Sequence, residues 1–271
     1  MTNRDQANQF IQTRQHRRFV EAADFCRVNR SLCICTGKPG VGKETSAQVY
    51  AQWPTIKLLL DTPRRPQTPP EKLSNYHAAY WDAEINCTTK KLISSLNRLS
   101  NKFNNLIQDS LNWHEPDRLR QSQVPRTDFL ELIIVNHAHR LSLICLEAIN
   151  DYRQHNNIGF LLLGVPGFDR RCKMYDLIGN DVALYHEYAS PRPEELKQIL
   201  ELRWQAESVT VEEAAITIIE EVTSANIQKA LNIQSEIERV RGINSISIIS
   251  PELVQAASTS LLLAPSSRAK K

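Results

Sequence analysis

A glycine-rich stretch near residue 40 decides the fold of this chain, and it reads Gly37-Lys38-Pro39-Gly40-Val41-Gly42-Lys43. The short apolar run 31–36 before it predicts a buried strand, and the segment that begins at Lys43 predicts a helix. A strand, a GxxxxGK loop and a helix in this order are typical of a P-loop. In such a loop, backbone N–H groups surround phosphate oxygens at a helix N-terminus. The stretch therefore predicts an α/β fold with a phosphate-binding loop, and the alternative is a tight glycine turn that holds no ligand.

The residues expected to contact nucleotide phosphates extend two positions beyond Lys43, the lysine of this motif. They are Gly37, Lys38, Pro39, Gly40, Val41, Gly42, Lys43, Glu44 and Thr45. Lys43 is expected to reach the β- and γ-phosphates as a point charge. A P-loop has Ser or Thr directly after its lysine, because that hydroxyl ligates Mg²⁺. Here Glu44 occupies the position, so its carboxylate either ligates Mg²⁺ itself or repels the nucleotide.

Strands and helices alternate along the chain up to about residue 190, which predicts a parallel sheet. The predicted strands are 31–36, 77–86, 129–135, 159–163 and 182–188, with a further short strand at 56–60. The predicted helices are 43–53, which Pro54 is expected to end, 89–111 and 141–155. After Pro193 the pattern is helical throughout. We therefore expect an N-terminal helical segment at 1–29, an α/β nucleotide-binding domain at 30–192, a helical lid domain at 193–264 and a disordered tail at 265–271.

Composition and charge exclude few functions. The chain has 33 basic and 30 acidic residues, a formal net charge of +3, which neither requires nor excludes nucleic acid as a partner. No apolar run approaches the roughly 18 residues that span a bilayer, and the first ten residues contain no apolar signal region. The expectation is a cytoplasmic protein with no membrane partner.

A second motif position follows the predicted strand 129–135, where the chain reads Asn136-His137-Ala138-His139-Arg140. A working P-loop ATPase needs an Asp here to hold Mg²⁺ and usually a Glu to polarise water. Asn136 has nearly the shape of Asp but no charge, and His137 is a poor replacement for Glu, although histidine can act as a base near neutral pH. His137 and His139 have the spacing of a metal pair, but no third ligand is evident. Glu44 therefore remains the one candidate ligand for Mg²⁺.

Four segments together resemble the AAA+ ATPases of bacterial transposons, the TnsC/TniB group, which is related to the phage Mu B protein. The segments are TGKPGVGKETSAQVYAQW (36–53), LIIVNHAHRL (132–141), LLLGVPGFDRR (161–171) and LYHEYASPRPEEL (184–196). The similarity extends from about residue 15 to residue 263 and preserves the order of the segments. It implies a P-loop AAA+ core, a parallel sheet flanked by helices, followed by a small helical lid domain, with ATP or ADP as the cofactor.

The chain departs from this family at five catalytic positions: Glu44, Asn136, His137, Asp181 and Gln228. The family resemblance implies an Asp-Glu pair at 136–137, an arginine finger near 181 and a γ-phosphate-sensing Arg near 228. An arginine finger alone accelerates phosphoryl transfer by about 10³–10⁵. ATP hydrolysis is therefore predicted to be lost or very slow, so that no residue is assigned as catalytic. Nucleotide binding is expected to persist, whereas its Mg²⁺-dependent part is expected to be weakened.

The family also implies a DNA-bound oligomer that brings transposase and target-selection proteins to double-stranded DNA. The ring or filament would contain this chain alone or together with an active AAA+ paralogue. The residues expected to contact the DNA backbone follow the second strand: Thr88, Thr89, Lys90, Lys91, Arg98 and Lys102. The alternative for this basic face is an ordinary solvated helix surface.

Three further functions stay open at this point. The first is an active ATPase with displaced metal ligands, in which Glu44 holds Mg²⁺ and His137 aligns water. The second is a structural adaptor of a transposition complex that binds neither nucleotide nor DNA. The third is an unrelated P-loop NTPase.

Overall fold

The computed structural model describes residues 10–62, 73–111, 128–205, 209–244 and 248–261 of the 271-residue chain. The helices are α1 (Arg14–Val28), α2 (Lys43–Tyr50), α3 (Trp53–Asp61), α4 (Thr89–Leu111), α5 (Leu143–Asn156), α6 (Phe168–Lys173), α7 (Asp176–Gly179), α8 (Pro193–Gln205), α9 (Glu213–Thr223), α10 (Ile227–Asn244) and α11 (Pro251–Ser260). The strands are β1 (Leu32–Thr36), β2 (Ala78–Asp82), β3 (Leu132–Asn136), β4 (Gly159–Gly164), β5 (Val182–Glu187), β6 (Thr210–Val211) and β7 (Ile248–Ile249). Short 3₁₀ turns cover Leu73–Asn75 and Ala138–Arg140.

The first five strands form one parallel sheet in the order β2-β3-β4-β1-β5. Every residue of β1, β3 and β4 is buried, because strands in the middle of a parallel sheet are covered on both faces. Their sequences LCICT, LIIVN and GFLLLG are accordingly almost continuous apolar runs. The predicted P-loop fold, with a parallel sheet flanked by helices and a helical C-terminal part, is confirmed.

The chain between the first and second strands differs from the prediction. The first helix after the glycine-rich loop ends at Tyr50, and Gln52 has a left-handed φ of 46° before α3 begins. Pro54 lies in the first turn of α3, where its missing N–H has no helical partner to lose. Residues 56–60, predicted as a strand, belong to this helix, because a short apolar run fits a buried helix face as well as a strand.

The chain divides into two compact units. The sheet unit comprises Arg18–Gly37 and Lys43–Tyr188, and the helical unit comprises Met1–Arg17, Lys38–Gly42 and Ala189–Lys271. The predicted tail 265–271 and the first nine residues lie outside the described residues.

Each unit has its own apolar core. Aromatic and aliphatic side chains from the central strands and α4 fill the sheet unit, among them Phe103 and Phe160. In the helical unit, Trp204 is 1% exposed and packs among side chains of α9, α10 and α11. This unit also contains a two-residue parallel pairing of β6 with β7, which the sequence analysis did not predict. None of the helices in the described ranges combines the length and apolar character that a membrane crossing requires.

Candidate functional site

The glycine-rich loop follows β1 directly and has the backbone geometry that its sequence predicts. Gly40 and Gly42 have φ values of 78° and 100°, in the left-handed region that side chains rarely adopt. Gly37 has no room for a side chain, since an added Cβ would lie 2.4 Å from the carbonyl oxygen of Tyr188. The glycines are thus required by the backbone path of the loop itself.

The side chains of the loop differ in exposure. Lys38, Pro39, Glu44 and Thr45 are exposed, and Val41 is buried at 1% exposure. Lys43, the first residue of α2, is half-buried, and burial lowers the pKa of its ammonium while the Glu44 carboxylate partly opposes that shift. A partly desolvated ammonium interacts more strongly with an anion than a fully hydrated one. Lys43 is therefore suited to the phosphate contact predicted for it.

Three side chains from separate parts of the sheet unit converge beside the start of α2. The ligand atoms of Glu44, Asp82 and His137 all lie within 4.8 Å of one another. Glu44 is in the first turn of α2, Asp82 ends β2, and His137 directly follows β3. The sequence analysis found no third ligand for His137, and the structure brings two carboxylates to it.

Asp82 was missed by the sequence analysis, and its position follows from strand pairing. The parallel register places Asp82 opposite Asn136, the last residue of β3. The Asn136 amide Nδ2 donates a hydrogen bond of 2.7 Å to Asp82 Oδ1. The carboxylate expected at the end of β3 is therefore replaced by one on the neighbouring strand, and Asn136 orients it. Asp82 could have been found because it is the last residue of the strand AAYWD. The carboxyl ends of parallel strands lie at one edge of a sheet, so an Asp at that end is expected near the end of β3.

A buried tyrosine links two members of this group. The Tyr80 hydroxyl lies 3.3 Å from Glu44 Oε1 and 3.2 Å from Asp82 Oδ1. Burial raises the pKa of Tyr80, and the nearby Asp82 and Glu44 carboxylates raise it further, so the phenol is a neutral donor. The contacts of Tyr80 and Asn136 leave the second oxygen of each carboxylate for another partner.

The turn after β3 is held in an uncommon conformation. His137 has a left-handed φ of 54°, which for a non-glycine residue costs on the order of 1–3 kcal/mol. Arg171 holds this turn, since its guanidinium donates to the carbonyl oxygens of His139 and Leu141 at 3.0 and 2.7 Å. Burial lowers the pKa of His139, and the charges of neighbouring groups lower it further. The segment after β4 thus holds the turn that follows His137 through Arg171.

Within the helical unit, the loop residues 38–42 contact the start of α10. Asn226 Nδ2 donates to the carbonyl oxygen of Pro39 at 2.8 Å. The backbone N–H of Gln228 donates to the carbonyl oxygen of Gly40 at 3.1 Å. A Cβ on Gly40 would lie 2.5 Å from Asn226 Oδ1, so the close approach also requires glycine here. The Gln228 side chain instead donates to Asn232 on its own helix. Gln228, predicted at the sensor position, therefore reaches the loop through its backbone.

Asp181, predicted at the arginine-finger position, lies in an internal network of the sheet unit. Its carboxylate accepts a hydrogen bond from Asn150 Nδ2, and Asn150 Oδ1 accepts one from Arg153 Nε at 2.9 Å. Arg153 also donates to the carbonyl oxygen of Arg30 at 3.0 Å. The acidic residue at this position is thus tied to the end of α1 and to α5 of its own unit.

The predicted DNA-binding residues lie at the start and along the exposed face of α4. Lys90, Lys91, Arg98 and Lys102 are exposed, on the face opposite the buried side chains Leu92, Leu96 and Phe103. Lys91 forms an ion pair with Glu84.

The two threonine hydroxyls next to this face have partners within the protein. Thr88 Oγ1 accepts a hydrogen bond from the Lys91 backbone at 3.4 Å, and the Thr89 hydroxyl lies 3.8 Å from Cys145 Sγ. The basic side chains are thus brought together on one exposed face, whereas the Thr88 hydroxyl bonds to the first turn of α4 and the Thr89 hydroxyl faces α5.

The P-loop fold implies Mg²⁺, and the residues that normally hold it are not those of this chain. The hydroxyl expected after the lysine is replaced by Glu44, and the Asp expected at the end of β3 is replaced by Asn136. Mg²⁺ prefers oxygen ligands in octahedral geometry and keeps several waters. Glu44, Asp82 and His137 supply two carboxylates and an imidazole nitrogen, which is a different donor set. The usual Mg²⁺ site therefore does not fit this chain.

Comparison with known proteins agrees with this fold. The sequence pattern of the AAA domain family matches residues 26–172, more than half of the chain. A potential ATP-binding protein of Staphylococcus aureus is 27% identical over 279 residues, covering 94% of this chain and 97% of that protein.

Solved structures of two kinds are similar in fold. The RuvB Holliday junction branch migration motor of Thermotoga maritima aligns with a TM-score of 0.55 at 15% identity, over 91% of this chain and 68% of its own. ORC2 of Aeropyrum pernix aligns with a TM-score of 0.59 at 14% identity, over 94% and 71%. A Drosophila ORC structure bound to DNA aligns with a TM-score of 0.59 at 13% identity, over 96% and 65%. With its glycine-rich loop, its five-stranded parallel sheet and the match over residues 26–172, this chain belongs to the AAA domain family.

Proposed function

We propose that the protein is a TnsC-like AAA+ regulator of transposition. It binds ATP or ADP and double-stranded DNA, assembles with itself or with an active AAA+ paralogue, and recruits transposase to target DNA. ATP hydrolysis by this chain is lost or very slow. The division into a nucleotide-binding domain at 30–192 and a lid domain at 193–264 belongs to the same proposal.

One observation carries the proposal: the phosphate loop is kept, whereas the positions that hydrolyse ATP are not. Gly40 and Gly42 have the left-handed φ values of a phosphate nest, and Lys43 begins the following helix. Asn136 stands in place of the Asp expected to bind the metal, and the family resemblance aligns Asp181 with the arginine finger. Without an arginine at the finger position, no positive charge is supplied there to the nucleotide of a neighbouring subunit, so a self-assembled oligomer would hydrolyse ATP slowly at every such interface.

The test of nucleotide binding is calorimetry with ATP and with ADP, each with and without Mg²⁺. The wild-type protein is compared with Lys43→Ala, and phosphate release is measured on the same samples. We expect binding that Lys43→Ala abolishes, with no release above background. Binding with Mg²⁺-dependent turnover would contradict the lost hydrolysis, and no binding at all would favour the structural adaptor.

The DNA part of the proposal is supported by the exposed basic face of α4. It is also supported by likeness to proteins whose own structures concern DNA, a branch migration motor and an ORC bound to DNA. Arg98 and Lys102 lie one helical turn apart on that face, which suits contact with successive phosphates. Lys91 would have to give up its ion pair with Glu84 to bind a phosphate, so it is expected to contribute less to DNA affinity.

The DNA experiment measures affinity for random duplexes over a range of salt concentrations. The double variant Arg98→Ala/Lys102→Ala is expected to bind more weakly on every sequence, with a salt slope smaller by about two. Lys57→Ala, which removes an exposed lysine on α3, is the matched control and should bind like the wild type. An unchanged salt slope in the double variant would place the DNA elsewhere or remove DNA from the function.

A second function, an active ATPase with displaced metal ligands, is favoured by one specific observation. Asp82 supplies a carboxylate next to Asn136, and His137 lies in the same group as Glu44. Phosphate release that depends on a divalent ion, and that is lost in both Lys43→Ala and Asp82→Asn, would support this function over the first.

A further inference from the structure

The group formed by Glu44, Asp82 and His137 has a chemistry that the phosphate loop does not require. Its three ligand atoms come from three different elements and still lie within 4.8 Å of one another. Ligands of one ion with bonds of about 2.0–2.2 Å lie up to about 4.4 Å apart, so side-chain shifts of a few tenths of an ångström bring these three atoms within reach of one ion. The hydrogen bonds to these carboxylates come from the neutral groups Tyr80 and Asn136, and the Lys43 ammonium lies close enough to Glu44 for the two charges to interact. Two carboxylates this close repel each other unless a cation lies between them.

The supporting contacts orient the carboxylates without neutralising them. Tyr80 and Asn136 both approach Asp82 Oδ1, at 3.2 and 2.7 Å, so Oδ2 remains available. Tyr80 approaches Glu44 at Oε1 only. Both supporting groups are neutral and buried, at 2% and 3% exposure. Outer hydrogen bonds of this kind are what holds metal-ligating carboxylates in place in protein sites.

We propose that Glu44, Asp82 and His137 bind a divalent first-row transition ion of the Mn²⁺–Zn²⁺ class, in preference to Mg²⁺ and without nucleotide. The imidazole decides the selectivity. Nitrogen ligands suit Zn²⁺ and other first-row transition ions, whereas Mg²⁺ prefers oxygen ligands and loses its water reluctantly. The site lies within the sheet unit alone, so it goes beyond the proposed function and depends on neither nucleotide nor DNA.

The first test is a titration of the full chain with Mn²⁺, Zn²⁺ and Mg²⁺ alone, in the absence of nucleotide and DNA. Bound Mn²⁺ is counted by electron paramagnetic resonance, and Mg²⁺ is added as a competitor. We expect one Mn²⁺ per chain, bound at least about tenfold more tightly than Mg²⁺, and Zn²⁺ bound more tightly than Mn²⁺, as the general order of affinities requires. Equal affinity for Mg²⁺ and Mn²⁺, or no Mn²⁺ bound to the folded protein, would overturn the proposal.

The second test removes the ligands one at a time, each with a matched control. Asp82→Asn keeps the side-chain shape and is compared with Glu84→Gln, an exposed acid two residues away. His137→Ala is compared with His155→Ala, an exposed histidine on α5. Both ligand variants should lose at least about tenfold in Mn²⁺ affinity, and both controls should match the wild type.

A spectroscopic readout separates direct ligation from a structural role of His137. Pulsed electron paramagnetic resonance of bound Mn²⁺ should show coupling to an imidazole nitrogen, and this coupling should disappear in His137→Ala. Circular dichroism verifies the fold of each variant, and Glu44→Gln replaces Asp82→Asn if the latter does not fold. Wild-type Mn²⁺ affinity in the folded ligand variants, or no nitrogen coupling in the wild type, would refute the site. Because nucleotide is absent throughout, failure here leaves the proposed nucleotide binding untouched.

Discussion

The contact between the phosphate loop and α10 makes a sharp prediction about Asn226. Its side chain forms two hydrogen bonds: Nδ2 donates to the Pro39 carbonyl at 2.8 Å, and Oδ1 accepts from the Lys229 backbone at 3.0 Å. The second bond is an N-cap of α10, whose loss costs about 1 kcal/mol, and the first contributes about 0.5–1.5 kcal/mol. Asn226→Ala should therefore lower the free energy of unfolding of the helical unit by about 1.5–2.5 kcal/mol.

The effect on nucleotide binding should be much smaller than the loss of Lys43 would cause. The Gln228 N–H still donates to the Gly40 carbonyl in this variant, so the loop keeps one of its two attachments. At most the Pro39 bond is lost from the ordered loop. The dissociation constant for nucleotide should therefore rise by no more than about tenfold.

Two further variants separate the contributions in the same assay. Asn226→Ser keeps a capping oxygen but is too short to reach Pro39, so it should recover the contribution of the cap, about 1 kcal/mol. Asn232→Ala removes only an exposed contact with the Gln228 side chain and should leave stability unchanged. Urea unfolding gives the free energies, and hydrogen exchange of the α10 amides assigns the loss to the helical unit. Wild-type stability of Asn226→Ala, or a hundredfold loss of nucleotide affinity, would refute this account of Asn226.

Two other predictions concern charges in the sheet unit. Partial burial alone would raise the pKa of Glu131, but hydrogen bonds from Arg30 and Arg27 at 2.8 and 2.7 Å outweigh it and lower that pKa below its ordinary 4.5. Such stabilisation is fully present above pH 4.5 and is lost as the pH falls through the folded value. Glu131→Gln should therefore lower the free energy of unfolding by about 1–3 kcal/mol at pH 7 and by almost nothing at a pH below the folded pKa of Glu131. Urea unfolding measures both values, and an equal loss at the two pH values would contradict the ion-pair origin. Asn136→Asp places a carboxylate where an amide now donates to Asp82. The melting temperature of this variant should fall without metal and recover when Mn²⁺ is added. A fall that Mn²⁺ leaves unchanged would argue against a cation beside Asp82.

Much of the fold could be predicted from local sequence patterns. The glycine-rich loop, the three apolar central strands and the long amphipathic α4 each carry a strong signal of their own type. The signal failed for residues 51–61, where a short apolar run beside Pro54 fits a strand or a buried helix equally well. It also failed for β6 and β7, because two residues are too few to show a period.

The candidate site was predicted only in part, and Asp82 shows why. The loop residues and the substitutions at Glu44, Asn136 and His137 are local facts that a motif exposes. Asp82 belongs to no sequence motif, and it is recognised as a site residue only because the structure places it beside Asn136.

The sequence by itself determined that this chain forms a P-loop AAA fold, and it showed that Glu44 and Asn136 replace the residues usual at those P-loop positions, because both features lie in short contiguous segments. Only the tertiary structure decided that a carboxylate stands next to Asn136, that His137 joins Glu44, and that Asn226 contacts the loop. Such neighbours depend on strand order and on the packing of distant helices. Those arrangements are set by the burial of the whole core, which no local pattern specifies.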